Sequence, residues 1–255
     1  MINLKPLIYF LFLGLIWVPQ SISQTILIDP GHGGEDCGAK SFLKRKGKNK
    51  EKICEKDVAL SISKKIQQNL SDTSYQVFLT RSIDREVTLE ERARLADVLK
   101  ADLFISVHIN ASTASGSNGF ETFYLNNHDS AAVRRVEEIE NRDTDGELNM
   151  VDKILTDLVI ERTAPRSKHL ADNIHMHIAK NIQKTYNLSD RGVKPALFYV
   201  LALTKRPAIL LEAGFLSNKK ELKMVTSDRF QDLYAKGVAQ GLKEYLKKSP
   251  SPALF

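Results

Sequence analysis

Apolar residues along the chain fall into two alternating rhythms. Short runs rich in β-branched and aromatic residues predict strands: TILID at 25–29, YQVFLT at 75–80, LFISVH at 103–108 and GFETFYL at 119–125. Between them the apolar spacing lengthens to the helical period. Over 57–70 (DVALSISKKIQQNL), Val58, Leu60, Ile62, Ile66 and Leu70 fall mostly on one helical face. Over 88–100 (TLEERARLADVLK), Thr88 stands three residues before Glu91, the spacing of a capping box at a helix start. The rhythm returns late in the chain with a helix at 172–186, strands at 197–201 and 208–212, and a closing helix at 230–247. Strands that alternate with helices predict an α/β fold, a largely parallel mixed sheet flanked by helices.

Residues 127–166 break that rhythm. They are charged, run through NRDTDG at 141–146 and hold two helix-like pieces at 131–140 and 150–161, so they predict a helical insertion. No repeat or Pro/Gly/Ser-rich linker divides the rest, and 24–255 reads as one domain. With 255 residues, 42% hydrophobic and 27% charged, the chain is long enough to bury a full core. The first 23 residues stand apart. Lys5 precedes the almost wholly apolar PLIYFLFLGLIWV at 6–18, and Ser21-Ile22-Ser23 supplies small residues for a signal peptidase. A cleaved export signal is favoured over a retained anchor, because the apolar run falls short of the roughly 20 residues that a membrane span needs. No cysteine stands at the cut, so lipid attachment there is not expected. The sequence thus predicts a protein exported to the periplasm or cell envelope.

Export reframes the charge. The net charge is +6, and its densest positive run is KRKGKNK at 44–50, too polar and glycine-broken for a core element. It predicts a solvated loop, or one that holds an anionic polymer, a membrane surface or an acidic wall. Nucleic acid is excluded as a partner by the export signal. Cys37 and Cys54 flank the loop. Export permits a disulfide between them, and two separate thiols remain the alternative. Zinc binding through them is disfavoured because a better ligand set exists.

In open α/β sheets ligands gather beyond the carboxyl ends of the strands. Three polar residues stand at such ends: His32 after the first strand in IDPGHGG, His108 closing LFISVH and Glu212 closing AILLE. A carboxylate after Ile209-Leu210-Leu211 needs a partner or a task. Two histidines and a carboxylate suit a catalytic zinc with one position left open.

The stretches IDPGHGG, EKDVAL, LTR, SVHIN, DRGVK and ILLEAGFLSN occur in the order seen in zinc-dependent N-acetylmuramoyl-L-alanine amidases of the Amidase_3 type, which the mature chain resembles outside the basic loop and the insertion. These enzymes cleave the amide joining the lactyl group of N-acetylmuramic acid to L-alanine, freeing stem peptides from peptidoglycan. The resemblance implies one zinc per chain, with His32, Glu55 and His108 as ligands and Glu212 as the catalytic carboxylate. Glu51 competes locally with Glu55, but the family's glutamate directly precedes a helix start, here Glu55-Lys56-Asp57-Val58-Ala59-Leu60. A carboxylate there also suits the helix dipole. The chain departs from the family in having Cys37 where proline is frequent, and in its longer, more basic loop. Arg191 in DRGVK is a candidate for holding a peptide carboxylate or a structural ion pair. Arg81 in LTR reads as structural.

Periplasmic members of the family carry an inserted helical segment that covers the zinc until an activator protein displaces it. Residues 127–166 resemble that segment in position and length. Glu140 best resembles the glutamate that fills the metal's open position, with Glu137 and Glu138 as near competitors. Two rival readings stand beside the amidase. Ser61 and Lys64 fit the S-x-x-K of penicillin-sensitive D,D-carboxypeptidases, although Ser41–Lys44 and Ser217–Lys220 fit it equally. A wall-binding protein with a dead site would use the basic loop as its working surface. His175 and His177, two apart on a helix, point in different directions, and His128 and His169 read as surface residues.

Overall fold

The computed structural model describes residues 23–44, 49–114, 116–142 and 150–248. The expected export signal at 1–23 lies outside the described residues except for Ser23, and so does most of NRDTDG. In chain order the elements begin with β1 (Thr25–Pro30), β2 (Lys40–Lys44), β3 (Lys50–Cys54), α1 (Glu55–Asn69), β4 (Gln76–Leu79), α2 (Leu89–Val98), β5 (Leu103–Asn110) and β6 (Phe120–Leu125). They continue with α3 (Ala131–Glu140), α4 (Met150–Ile182), β7 (Asp190–Ala196), α5 (Tyr199–Thr204), β8 (Ala208–Phe215), α6 (Lys219–Val225) and α7 (Asp228–Lys248). No described helix is long and apolar enough to cross a membrane.

Six strands form one sheet in the order β4-β1-β5-β8-β6-β7. The first four are parallel, β6 runs antiparallel to β8, and β7 runs parallel to β6. β1, β5 and β8 are buried along their whole length, as expected of inner strands covered on both faces. Alternate side chains feed two apolar layers. Ile26, Ile28, Ile105 and Ile209 meet Ile62, Ile174 and Val238 on one side, while Leu27, Phe104 and Leu210 meet Ala96, Phe198 and Leu201 on the other.

Several elements differ from the sequence reading. The run at 197–201 belongs to α5, and the strand beside β6 is β7. Short apolar runs do not separate helix from strand by periodicity, and here Phe198, Leu201 and Thr204 pack inward at helical spacing. β7 hid behind Gly192 and Pro195; it lies at the sheet edge, where a proline breaks no ladder. The helix expected at 172–186 starts at Met150 and runs through Pro165, because the buried stripe Ile160, Ala164, Leu170, Ile174, Ile178 continues across the proline. The insertion's second piece is therefore the first part of α4. Finally, the flanks of the basic run pair as the antiparallel hairpin β2–β3, with Leu43 and Ile53 buried. Cys37 and Cys54 form a disulfide at its base, with a Cα separation of 5.1 Å.

β5 and β8 also extend past the expected strand ends. His108 and Glu212 consequently face each other as register partners, and Glu212 has Glu121 of β6 on its other side. The functional end of the sheet is a row of polar side chains within the strands.

Candidate metal centre

His32 sits in the turn after β1 with φ +57°, a left-handed conformation uncommon for a residue with a side chain. Two buried arginines hold the backbone there. Arg81 donates to the carbonyls of Pro30 (3.1 Å), Gly31 (2.8 Å) and Lys56 (2.8 Å), and Arg92 to those of Pro30 (3.0 Å) and His32 (3.0 Å). Arg92 is itself fixed by Asp29, which also accepts from Thr80 (2.6 Å) and Ser106 (2.8 Å). Burial alone would raise the Asp29 pKa, but Arg92 and the two hydroxyls outweigh it and hold the carboxyl below its usual range. The His32 ring is aimed by Asp36, whose Oδ2 lies 2.5 Å from Nδ1. That leaves Nε2 facing inward.

Glu55 is the first residue of α1 and is 1% exposed. Backbone N–H groups grip both of its oxygens, Ala39 on Oε2 and Ile109 on Oε1, each at 2.8 Å. His108 reaches in from β5 with Nδ1 3.0 Å from Glu55 Oε1. Glu140, the last residue of α3, brings Oε2 to 2.9 Å from His108 Nδ1 and 3.4 Å from His32 Nε2. One ligand atom from each of His32, Glu55, His108 and Glu140 lies within 4.8 Å of the other three. His32 Nε2 and Glu140 Oε2 are buried, yet neither has a hydrogen bond to a described residue. Atoms this close that are not aligned as hydrogen bonds point at a shared centre instead of at one another. Nitrogen and carboxylate donors in that number are the chemistry of a zinc site, and carboxylate and backbone groups behind the ligands are its usual outer support.

Electrostatics agree with the crowding of carboxylates. Burial disfavours charge on His108, but Glu140 and Glu55 outweigh it and push its pKa up to about 9. His32 is raised further by Glu55, Asp36 and Glu140. The two imidazoles in turn hold Glu55 and Glu140 below the usual carboxylate range, against the effect of burial. Glu212 goes the other way. It is 0% exposed, neither oxygen has a hydrogen bond to a described residue, and burial followed by Glu140, Glu55 and Glu121 raises its pKa well above normal.

The model of the N-acetylmuramoyl-L-alanine amidase family matches residues 26–244. The chain belongs to that family. It is 30% identical over 226 residues to the N-acetylmuramoyl-L-alanine amidase LytC of Bacillus subtilis, a match covering 89% of this chain and 36% of LytC, so it spans about a third of that relative. The crystal structure of an N-acetylmuramoyl-L-alanine amidase from Clostridium difficile 630 superposes with a TM-score of 0.67 at 30% identity, covering 89% of this chain and 99% of that one. The CwlD amidase of Clostridioides difficile, solved in complex with the GerS lipoprotein, superposes with a TM-score of 0.64 at 27% identity, over 89% and 100% of the two chains.

A cavity of about 1940 Å3 opens over the cluster, lined by His32, Glu55 and His108 together with Glu140 of α3 and Val159 of α4. Arg191 is on its wall, with Nε 3.0 Å from Glu121 Oε2 and the guanidinium 5.2 Å from the centre of the Phe215 ring. Its side chain remains 33% exposed, so the ion pair leaves part of the fork facing the cavity. Glu121, missed in the sequence, also takes Lys194 (2.5 Å) and Asn110 (3.0 Å). The reasoning applied to Glu212 would have found it, since Glu121 is likewise a carboxylate in an apolar strand. Asp36 carried the signal of lying four residues after His32.

The remaining candidates fall elsewhere. Ser61 donates to Gln231 Oε1 at 2.6 Å on the side of α7, and Lys64 is exposed. Glu137 bonds His128 at 2.7 Å, and Glu138 is exposed. His128 is therefore no surface residue: its side chain is 5% exposed because Glu137 draws it inward. His169 is exposed against Tyr245. His175 is buried between Thr122 and Asp190, whereas His177 reaches Glu244, so the two do point apart.

Close packing makes Gly31 a sensitive position. A Cβ there would meet the His108 ring at 2.4 Å. Gly31→Ala should displace that ring and weaken the affinity of the cluster for a metal ion about 10- to 100-fold, the cost of disturbing a ligand's support. Titration against a chromophoric chelator measures it, and an affinity within about twofold of wild type would show that the ring can move without loss.

Proposed function

We propose that the chain is a zinc-dependent hydrolase of peptidoglycan that cleaves the amide between N-acetylmuramic acid and L-alanine. The observation that carries this reading is the convergence of His32 Nε2, His108 Nδ1 and a Glu55 oxygen on one buried point in a chain of this family. These three residues would hold the metal. A zinc ion bound there would polarise the scissile carbonyl and make water acidic enough to attack near neutral pH. The remaining chemistry falls to Glu212. Its carboxyl stands across from His108, unhydrogen-bonded and with a raised affinity for a proton. The positive charge of a metal held there would offset that effect, so that the ionised carboxylate would accept the proton of the attacking water and deliver it to the departing alanine nitrogen. Arg191 is suited to a carboxylate of the stem peptide. Export of the mature chain, 24–255, through the signal at 1–23 would bring it to this substrate.

The same reading makes residues 127–166 autoinhibitory. Glu140 occupies the place beside the cluster that substrate would need, and the end of α3 is latched in position. Asn141 donates to the Leu197 carbonyl (2.9 Å) and accepts from the Tyr199 N–H (3.0 Å), while Glu137 accepts from the Leu197 N–H. An activator protein that displaced this arch would expose the site. The complex of the CwlD amidase with the GerS lipoprotein is precedent for a relative that binds a protein partner.

Mass spectrometry of peptidoglycan digested by the mature protein, with and without chelator, tests the reaction. Stem peptides with an L-alanine amino terminus are expected, and chelation should abolish them. Chelator-insensitive loss of terminal D-alanine would instead favour Ser61 and Lys64. No product from wild type or from a Glu140→Ala protein would favour a wall-binding protein.

A further inference from the structure

The hairpin β2–β3 has two unlike faces. Its register pairs Lys40 with Cys54, Phe42 with Lys52 and Lys44 with Lys50, so these side chains share one face, while Ser41, Leu43, Glu51 and Ile53 share the other. The second face supplies Leu43 and Ile53 to the core. The first presents an aromatic ring, 63% exposed, in the middle of four exposed lysines, with no acidic side chain on that face. A buried position explains neither the ring nor the charge.

The location of this face gives it a use. Gly38, Ala39 and Lys40 line the same cavity as His32 and Glu55. The Cys37–Cys54 bridge and the Glu55 N–H donating to the Ala39 carbonyl (2.8 Å) fix the base of the hairpin to the first residue of α1. From Lys40 at the rim, the face runs outward for five residues, about 17 Å of strand. It therefore continues the cavity as a fixed cationic wall with one aromatic platform.

We propose that this face binds the peptidoglycan polymer beyond the cleaved bond, with Lys44, Lys50 and Lys52 meeting stem-peptide carboxylates and the Phe42 ring carrying the apolar face of a sugar. The proposal rests on the amidase reading for the substrate's identity. Charge complementarity and continuity with the cavity favour the polymer, since a chain engaged at the cluster must leave along a wall and this wall carries the opposite sign.

Binding is measured with the chelated mature protein, so that hydrolysis does not enter, by co-sedimentation with intact sacculi and separately with phosphatidylglycerol vesicles. Lys44→Gln/Lys50→Gln/Lys52→Gln and Phe42→Ser are each expected to weaken sacculus binding by about tenfold or more, with wild-type binding falling as salt rises. The matching Lys→Arg triple and Phe42→Trp keep the charge or the ring, and should retain it. Undiminished sacculus binding by the Gln and Ser variants would overturn the proposal. So would a loss confined to the vesicles, which would assign the face to a lipid surface. Failure of the amidase reading would show separately, as an absence of L-alanine-terminated peptides from wild type and Glu140→Ala alike.

Discussion

Glu212→Gln protein is expected to release stem peptides about 10³-fold more slowly than wild type, to bind zinc equally well and to unfold at a higher temperature when metal-free. Loss of a positioned general acid–base group costs roughly 10²- to 10⁴-fold, and glutamine keeps the shape of the side chain while removing its ability to carry a proton. Zinc affinity should persist because Glu212 is not among the four groups that converge on the centre. The stability effect follows from burial. The folded protein holds Glu212 protonated well above its ordinary range, chiefly through burial and then through the charges of Glu140, Glu55 and Glu121. At neutral pH the unfolded chain has released that proton, so the folded state binds more protons and loses stability as pH rises. Glutamine has no such dependence. Its advantage over wild type should grow as pH rises above the ordinary glutamate range and disappear in acid, where the glutamate is protonated in both states. Turnover by Glu212→Gln within about tenfold of wild type would remove Glu212 from the proton-transfer role, whatever the melting curves show.

The layers of this fold were written in continuous apolar runs. TILID, LFISVH and AILLE, short apolar runs, read as strands buried on both faces, and the two N-terminal helices declared themselves by period and by the Thr88 cap. The hidden elements were those stabilised from one side only. β7 needs a single partner and so tolerates Gly192 and Pro195, and four of the ten residues of β2–β3 are lysine because few of the ten, Leu43, Ile53 and Cys54, are buried. His32, His108 and Glu212 were legible because a polar residue that follows an apolar run violates the local pattern. Arg92 violated nothing. Within LEERARL it passes for one more charge on a helix surface, and its burial becomes intelligible only when folding brings Asp29, 63 residues away, against it. The supports of a site come from tertiary partners, and periodicity does not report them.

Glu140→Ala should raise the rate of stem-peptide release at least about tenfold. In wild type the Glu140 carboxylate lies 2.9 Å from His108 Nδ1 and 3.4 Å from His32 Nε2, where, on the proposed autoinhibitory reading, it would compete with substrate for the space over the cluster. Alanine empties that space but leaves the arch latched by Asn141 and Glu137. Asn141→Ala attacks the latch instead. It deletes the hydrogen bonds to Leu197 and Tyr199, worth about 1 kcal/mol each, and their loss alone converts to roughly a 30-fold rise in the open population if the closed state dominates. Glu138→Ala is the control, since its side chain is exposed. The two substitutions should combine to more than either alone, because one clears the centre and the other frees the segment that covers it. A saturating activator should abolish the difference between all of these proteins, since it would already hold the arch away. The opposite result is equally informative. If Glu140→Ala lowers both zinc affinity and turnover, Glu140 is a working member of the site, and the insertion completes the centre it covers.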